Sequence, residues 1–211
     1  MNKQILLFKQ EHTQIPVDVL IKDGCVQYFA KVFSLENSVA LFDVLFKTLD
    51  WQPDHITIFG KQIITKRKVI WIGDEGCSYT YSGHKKYPKP WIPELLAVKE
   101  KIEALSSWKF NSCLLNLYHN GHEAMAWHTD NEPELNPQAP IASLSIGSER
   151  KFAFRHRIDK ESNSILLESG SVLLMHPPTQ AFWQHSLLRT RLSVPPRINL
   201  TFRDIHPRNI S

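Results

Sequence analysis

Trp127-His128-Thr129-Asp130 sets an imidazole and a carboxylate two residues apart, and His185 follows 55 residues after the aspartate. In a strand, residues two apart share a face, so His128 and Asp130 can offer a ring nitrogen and a carboxylate oxygen to one ion. His185 can complete the set from a neighbouring strand. Two histidines and one carboxylate on one side of a metal leave positions open opposite them, which is the ligand set of non-haem Fe(II) oxygenases. O2 and a co-substrate would bind there. A His-x-Asp pair alone also arises by chance on surface strands. His176 and His206 are rival donors, but His176 precedes Pro177-Pro178 at a strand end and His206 lies in the tail, which favours His185.

The run Arg197-Ile-Asn199-Leu-Thr201-Phe-Arg203 adds a second group of residues that could do chemistry. Polar and apolar residues alternate, so one strand face packs while the other is rich in donors. An arginine fork matches a carboxylate in two parallel hydrogen bonds and keeps its charge when desolvated, so the polar face suits a dicarboxylate. A straight strand holds the Cα atoms of the two arginines about 20 Å apart, too far for both to cover one small ligand, and Arg197 is the preferred anchor. Asn116 and Tyr118 share a strand face in the same way. Their amide and hydroxyl suit a co-substrate carboxylate or carbonyl, or else satisfy each other.

The elements that must position these groups are legible in outline. Ser34 caps a helical pattern through Ala40, Leu41, Val44, Leu45 and Leu49, and Pro93 opens a second one with Leu95, Val98, Ile102 and Leu105 in a stripe. Both stripes read as core. Strands are expected at 110–118, 141–146, 151–157, 164–167, 171–175, 185–188 and 198–203, close-spaced segments that fit a jelly-roll barrel. The fold class is mainly β with flanking helices. Upstream, 55–59 and 62–65 read as a hairpin around Gly60-Lys61, a type II′ turn, with Phe59 at the tip. An aromatic there can wedge between base steps or fold back onto its own core. Tyr79 and Tyr81, either side of Thr80, share a face and can stack on an extruded base.

Residues 61–90 carry seven Lys and Arg against two acidic residues, a local net of +5 in a chain of net +4. A basic stretch is a solvated face or the footprint of phosphate binding, and beside aromatics Lys61 and Arg67 are candidate phosphate contacts. At 211 residues and 42% hydrophobic, the chain is read as one globular domain with a full core. Three irregularly spaced cysteines without Cys-x-x-Cys read as reduced thiols in a cytoplasmic protein, or a nuclear one in a eukaryote. The apolar start is too short for a signal peptide or a membrane span. A monomer without membrane attachment is expected.

Asn116-Leu-Tyr118, His128-Thr-Asp130-Asn131-Glu132, 140–145, 152–156, 170–175, His185 and 197–203 together resemble the AlkB family of Fe(II)/2-oxoglutarate dioxygenases, over roughly residues 50 to 206. Ile56-Thr-Ile-Phe59-Gly60-Lys61, Arg67-Lys68 and Tyr79-Thr80-Tyr81-Ser-Gly further resemble the members that work on duplex DNA. The resemblance implies an N-terminal extension over 1–50, a nucleotide-recognition lid over 51–92 and a double-stranded β-helix core over 93–211. It implies Fe(II), O2 and 2-oxoglutarate as co-substrate, with Asn116, Tyr118, Arg197, Asn199, Thr201 and Arg203 around the keto acid. Alkylated bases in DNA, duplex favoured, would be the substrate. Oxidation of the N-alkyl carbon of 1-methyladenine or 3-methylcytosine would yield formaldehyde, succinate and CO2. A blocked Watson–Crick edge makes such a base easier to extrude. Its positive charge suits a place between Tyr81 and the His128 ring, with Asn131 or Glu132 accepting from its exocyclic amine. An AlkB-like oxygenase of RNA or protein is the alternative. A non-catalytic cupin-like binding module is another, and it predicts a missing ligand or anchor arginine, whereas neither is missing here.

Overall fold

The computed structural model describes residues 15–58, 61–77, 79–81 and 84–206. In chain order the elements are β1 (Val17–Asp18), β2 (Cys25–Phe29), α1 (Leu35–Thr48), β3 (Gln52–Ile58), β4 (Lys61–Gly73), β5 (Tyr79–Tyr81), β6 (His84–Lys86) and α2 (Pro93–Ser106). They continue with β7 (Ser112–Tyr118), β8 (Met125–His128), β9 (Ile141–Gly147), β10 (Arg150–His156), β11 (Ser162–Leu167), β12 (Ser171–His176), α3 (Thr179–Phe182), β13 (Trp183–Leu187) and β14 (Arg197–Arg203). The large sheet has the order β1-β2-β12-β9-β14-β7-β4-β3 and the small one β11-β10-β13-β8, while β5 and β6 pair with each other. The named pairings are antiparallel, and the two sheets make the expected jelly roll.

Alternation decides what each face of the large sheet does. Ile198, Leu200 and Phe202 of β14 join Cys113, Leu115 and Leu117 of β7 and Ile70 and Ile72 of β4 in one core cluster. Leu41 and Leu45 of α1 and Leu95, Val98 and Ile102 of α2 close that cluster from the helical side. The other face turns toward the small sheet. There Tyr118, Leu173 and Met175 meet Phe152, Phe154, Trp183 and Leu187 in a second cluster, and the polar residues of β7, β9 and β14 lie beside it. The period of two that makes one face greasy thus leaves the facing row free for chemistry.

Both helices begin where their caps placed them. Ser34 Oγ accepts from the Asn37 N–H, and Pro93 occupies the first turn of α2. Several strands differ from expectation. β2 lies in the large sheet beside β12, although the first fifty residues carry no strand reading. β4 runs on to Gly73, because Lys66-Arg67-Lys68 continues the alternation instead of ending it: Arg67 is buried. The register pairs Ile58 with Lys61, so Lys61 starts the returning strand and is not a turn residue. Phe59 and Gly60 lie outside the described residues. No helix among the described residues is long and apolar enough to cross a membrane.

Candidate metal centre

β8 and β13 are neighbours, and their register sets His128 directly opposite His185. The two rings lie 4.2 Å apart between centroids. β8 ends at His128, so Asp130 is not the next inward residue of a strand but sits on the chain leaving it. Its carboxylate returns all the same: Oδ1 is 3.7 Å from His128 Nε2 and Oδ2 is 3.9 Å from His185 Nε2. Among the described residues, these three form the group of His, Cys, Asp and Glu close enough to share an ion, with ligand atoms within 4.8 Å of one another. His176 instead faces Gln27, and His206 lies beside Asp204.

The surroundings prepare each donor. His128 Nδ1 lies 2.8 Å from the Ala126 carbonyl, which places its hydrogen there and leaves Nε2 free to coordinate. His185 is buried and stacked on Phe152, with Phe154 edge-on. Burial pulls its pKa down to about 4, so it is neutral and ready to bind a metal at neutral pH. Burial opposes ionisation of Asp130, but the Arg203 guanidinium and the two histidines outweigh it and hold the carboxyl well below the usual range. Arg203 Nη2 donates to Asp130 Oδ1 at 2.9 Å, and Gln180 Oε1 accepts from the Asp130 N–H at 3.0 Å. Gln180 stands on α3, a single turn that sequence patterning passes over because four residues carry no helical period.

A polar wall faces the triad. Arg197 is 1% exposed and pairs across the strands with Tyr118. Its Nη2 donates to Ser145 Oγ at 2.8 Å, its Cζ lies 5.6 Å from the Tyr118 ring, and its Nε and Nη1 have no partner. Burial lowers its pKa to about 10. A guanidinium held away from water with two open donors fits an anionic ligand. One row along, Val69, Asn116, Asn199 and Ser145 align across β4, β7, β14 and β9. Asn199 Nδ2 is already engaged by Ser143 Oγ and the Leu144 carbonyl. Thr201 occupies the next row beside Leu114. Arg203 lies at the far end of β14 from Arg197, so the separation expected between the two arginines becomes a division of place.

Arg67 corrects the phosphate reading. It is 6% exposed, donates through Nη1 to Asn116 Oδ1, and forms an ion pair through Nη2 with Asp54 Oδ2. A buried, paired guanidinium cannot reach a nucleic-acid backbone. Lys89 is likewise paired, with Asp50. Asn131 is exposed, whereas Glu132 is half-buried with Oε2 lacking a partner. Trp127 lies under Arg155, whose Cζ is 4.4 Å from its ring centroid. The side chains of Lys61, Tyr79, Thr80 and Tyr81 lie outside the described residues, although β5 and β6 pair as a short hairpin. Between β4, β7 and the 130s lies a cavity of about 250 Å³ bounded by Asp54, Arg67, Trp71, Leu114, Glu132 and Arg203, among others.

The family model described as the 2OG-Fe(II) oxygenase superfamily matches residues 25–203. The mouse protein named DNA oxidative demethylase ALKBH2 is 38% identical over 78% of this chain and 75% of its own length. Its human counterpart is 36% identical over 77% of this chain and 68% of its own. Cattle alkB homolog 3, an alpha-ketoglutarate-dependent dioxygenase, is 41% identical over 82% of this chain and 63% of its own length. The chain belongs to the AlkB family of 2OG-Fe(II) oxygenases. The solved structure of OsALKBH1 shares the fold of this AlkB-family chain, with a TM-score of 0.63 at 19% identity over 88% of this chain and 99% of that one. An oxygenase of this family uses Fe(II), 2-oxoglutarate and O2, and the donors present fit those groups.

Proposed function

We propose that this enzyme is a DNA-repair demethylase that removes N-alkyl groups from bases such as 1-methyladenine and 3-methylcytosine, with duplex DNA favoured. The observation that carries the reading is the His128-Asp130-His185 group together with Arg197, a buried guanidinium whose Nε and Nη1 lack partners on the strand that also sends Arg203 to Asp130. His128, Asp130 and His185 would hold Fe(II). Arg197, with Tyr118 and Ser145 beside it, would take the distal carboxylate of 2-oxoglutarate, and Asn116, Asn199 and Thr201 would line its path toward the metal. When bound, iron, 2-oxoglutarate and O2 supply the oxidising power for a C–H bond. The chain supplies orientation and a dry site. Arg203 keeps Asp130 ionised and in place, and Glu132 presents a carboxylate to the cavity, where a cationic base gains most from it. Selection of damaged bases follows from extrusion, since a base that cannot pair costs less to flip. The DNA reading draws on the ALKBH2 names and on the hairpin sequence around Phe59.

The experiment is succinate and formaldehyde release from oligonucleotides carrying 1-methyladenine or 3-methylcytosine, as single-stranded DNA, duplex DNA and RNA. Stoichiometric release with duplex DNA fastest is expected. Release from RNA alone, or from none, would overturn the reading. Phe59→Ala is expected to lose activity mainly on duplex, where a wedge must fill the gap left by the flipped base. Equal losses on single- and double-stranded substrates would make Phe59 a packing residue.

A further inference from the structure

One large aromatic in the cavity serves neither the metal group nor the co-substrate wall. Trp71 lies on the inward face of β4 with Arg67 and Val69, paired with Leu114 and next to the Gly73–Ser112–Arg203 row. That row ends at Asp130 through the Arg203 ion pair. The indole does not lie loosely there: its Nε1 donates to Ser112 Oγ at 2.7 Å. A ring fixed at its rim is a rigid wall, because turning it aside breaks a half-buried hydrogen bond. Leu114 adjoins it on β7, and Met125 reaches the same 250 Å³ cavity from the small sheet. Met125 is unbranched and yields to an intruding group, so it sets no limit. Trp71 does.

We propose that Trp71 determines specificity by fixing the largest N-alkyl group the cavity accepts, so that methyl passes and longer chains are refused. The inference rests on the cavity receiving the extruded base, as the proposed function requires. The carbon to be oxidised must lie beside the metal group, so the alkyl substituent occupies the end of the cavity at Arg203, the residue paired with Asp130, and Trp71 borders that end through its bond to Ser112 in the Arg203 row. An added methylene must then displace either the indole or the base. Discrimination per methylene at such a wall is on the order of 10–200-fold.

The test is kcat/KM on duplex oligonucleotides carrying 1-methyladenine, 1-ethyladenine or 1-propyladenine, for wild type, Trp71→Leu, Trp71→Ala and Ser112→Ala. Affinity for the same series is read by anisotropy without O2, which reports the size limit independently of turnover. Wild type is expected to fall at least tenfold with each added carbon, in line with the discrimination a wall exerts. Trp71→Ala and Trp71→Leu should raise the ethyl-to-methyl ratio about tenfold or more, and Ser112→Ala, which removes that hydrogen bond but keeps the ring, should raise it less. If Trp71→Ala fails to fold, Trp71→Leu and Ser112→Ala still decide the matter. Ratios unmoved in every folded variant would overturn the role of Trp71 while leaving the demethylase reading standing. No turnover of any substrate by wild type would overturn that reading and this inference with it.

Discussion

Asp130 is the most supported of the three candidate metal donors, and the reason is its position. Being beyond the end of β8, it lacks a strand to hold it, and Arg203 and Gln180 hold it instead. His128 and His185 are placed by register, which needs no such help. His128→Ala, Asp130→Ala and His185→Ala are each expected to abolish turnover and Fe(II) binding with the fold retained, while His176→Ala leaves both unchanged. Circular dichroism and metal titration check this, and activity surviving in His185→Ala would remove that ligand from the set. Arg203→Ala is expected to weaken Fe(II) roughly 10–100-fold, the usual effect of losing a partner that orients a ligand. Arg197→Ala should instead raise the KM for 2-oxoglutarate steeply with little change in metal affinity.

At the scale of elements, the charge on Arg67 of β4 serves the fold itself. Arg67 ties β3 to β7 through Asp54 and Asn116, so Arg67→Ala is expected to destabilise the protein by on the order of 2–3 kcal/mol, as an unpaired, largely buried carboxylate is left behind. It should leave the salt dependence of DNA binding alone. Lys61→Ala is expected to do the reverse, keeping stability and flattening the slope of log affinity against log salt by about one. Thermal denaturation beside binding isotherms at several salt concentrations separates the two. A second carboxylate ties α2 to the segment that leads into β7. Glu103 accepts from the Phe110 N–H, Lys109 and Lys99. Burial opposes its ionisation, but these donors outweigh it and lower its pKa from the ordinary 4.5. A depressed carboxylate stabilises the fold fully above that ordinary value and loses the contribution as pH falls through the folded one. Denaturant midpoints from pH 7 to 3 should therefore fall less steeply in Glu103→Gln than in wild type. Parallel curves would show that Glu103 contributes nothing to acid sensitivity.

For the whole molecule, the site is also where the two sheets are joined. The candidate metal donors stand on the small sheet and its exit loop, and the proposed co-substrate wall stands on the large one. Ligands that bridge them should stabilise the fold, because binding to the folded state alone shifts the unfolding equilibrium. Mn(II) with 2-oxoglutarate at about a hundredfold excess over the dissociation constant contributes about 2.7 kcal/mol, or roughly 5–10 °C in Tm for a chain of this size. Arg197→Ala should keep the rise from metal and lose the additional rise from 2-oxoglutarate. A full response in that variant would place the anchor elsewhere.

The sequence by itself determined whatever rests on local period and on residue type. The alternation of 197–203 marked a strand with one packed and one polar face, Ser34 and Pro93 marked two helix starts, and His128, Asp130 and His185 stood out because few residue types bind iron. Those properties need no knowledge of what lies opposite. Tertiary structure alone decided the partners. Arg67 read as a phosphate contact because its neutralising group, Asp54, lies across a hairpin, and Asn116 is 49 residues away. Gln180 is 50 residues from the aspartate it steadies, on a turn too short for a helical pattern. Arg203 and Arg197 are alike in sequence, and only the packing of the sheets sends one to Asp130 and leaves the other with open donors. A period says which way a side chain points, but charge and hydrogen bonding are settled by the groups it meets there, and strand register chooses those.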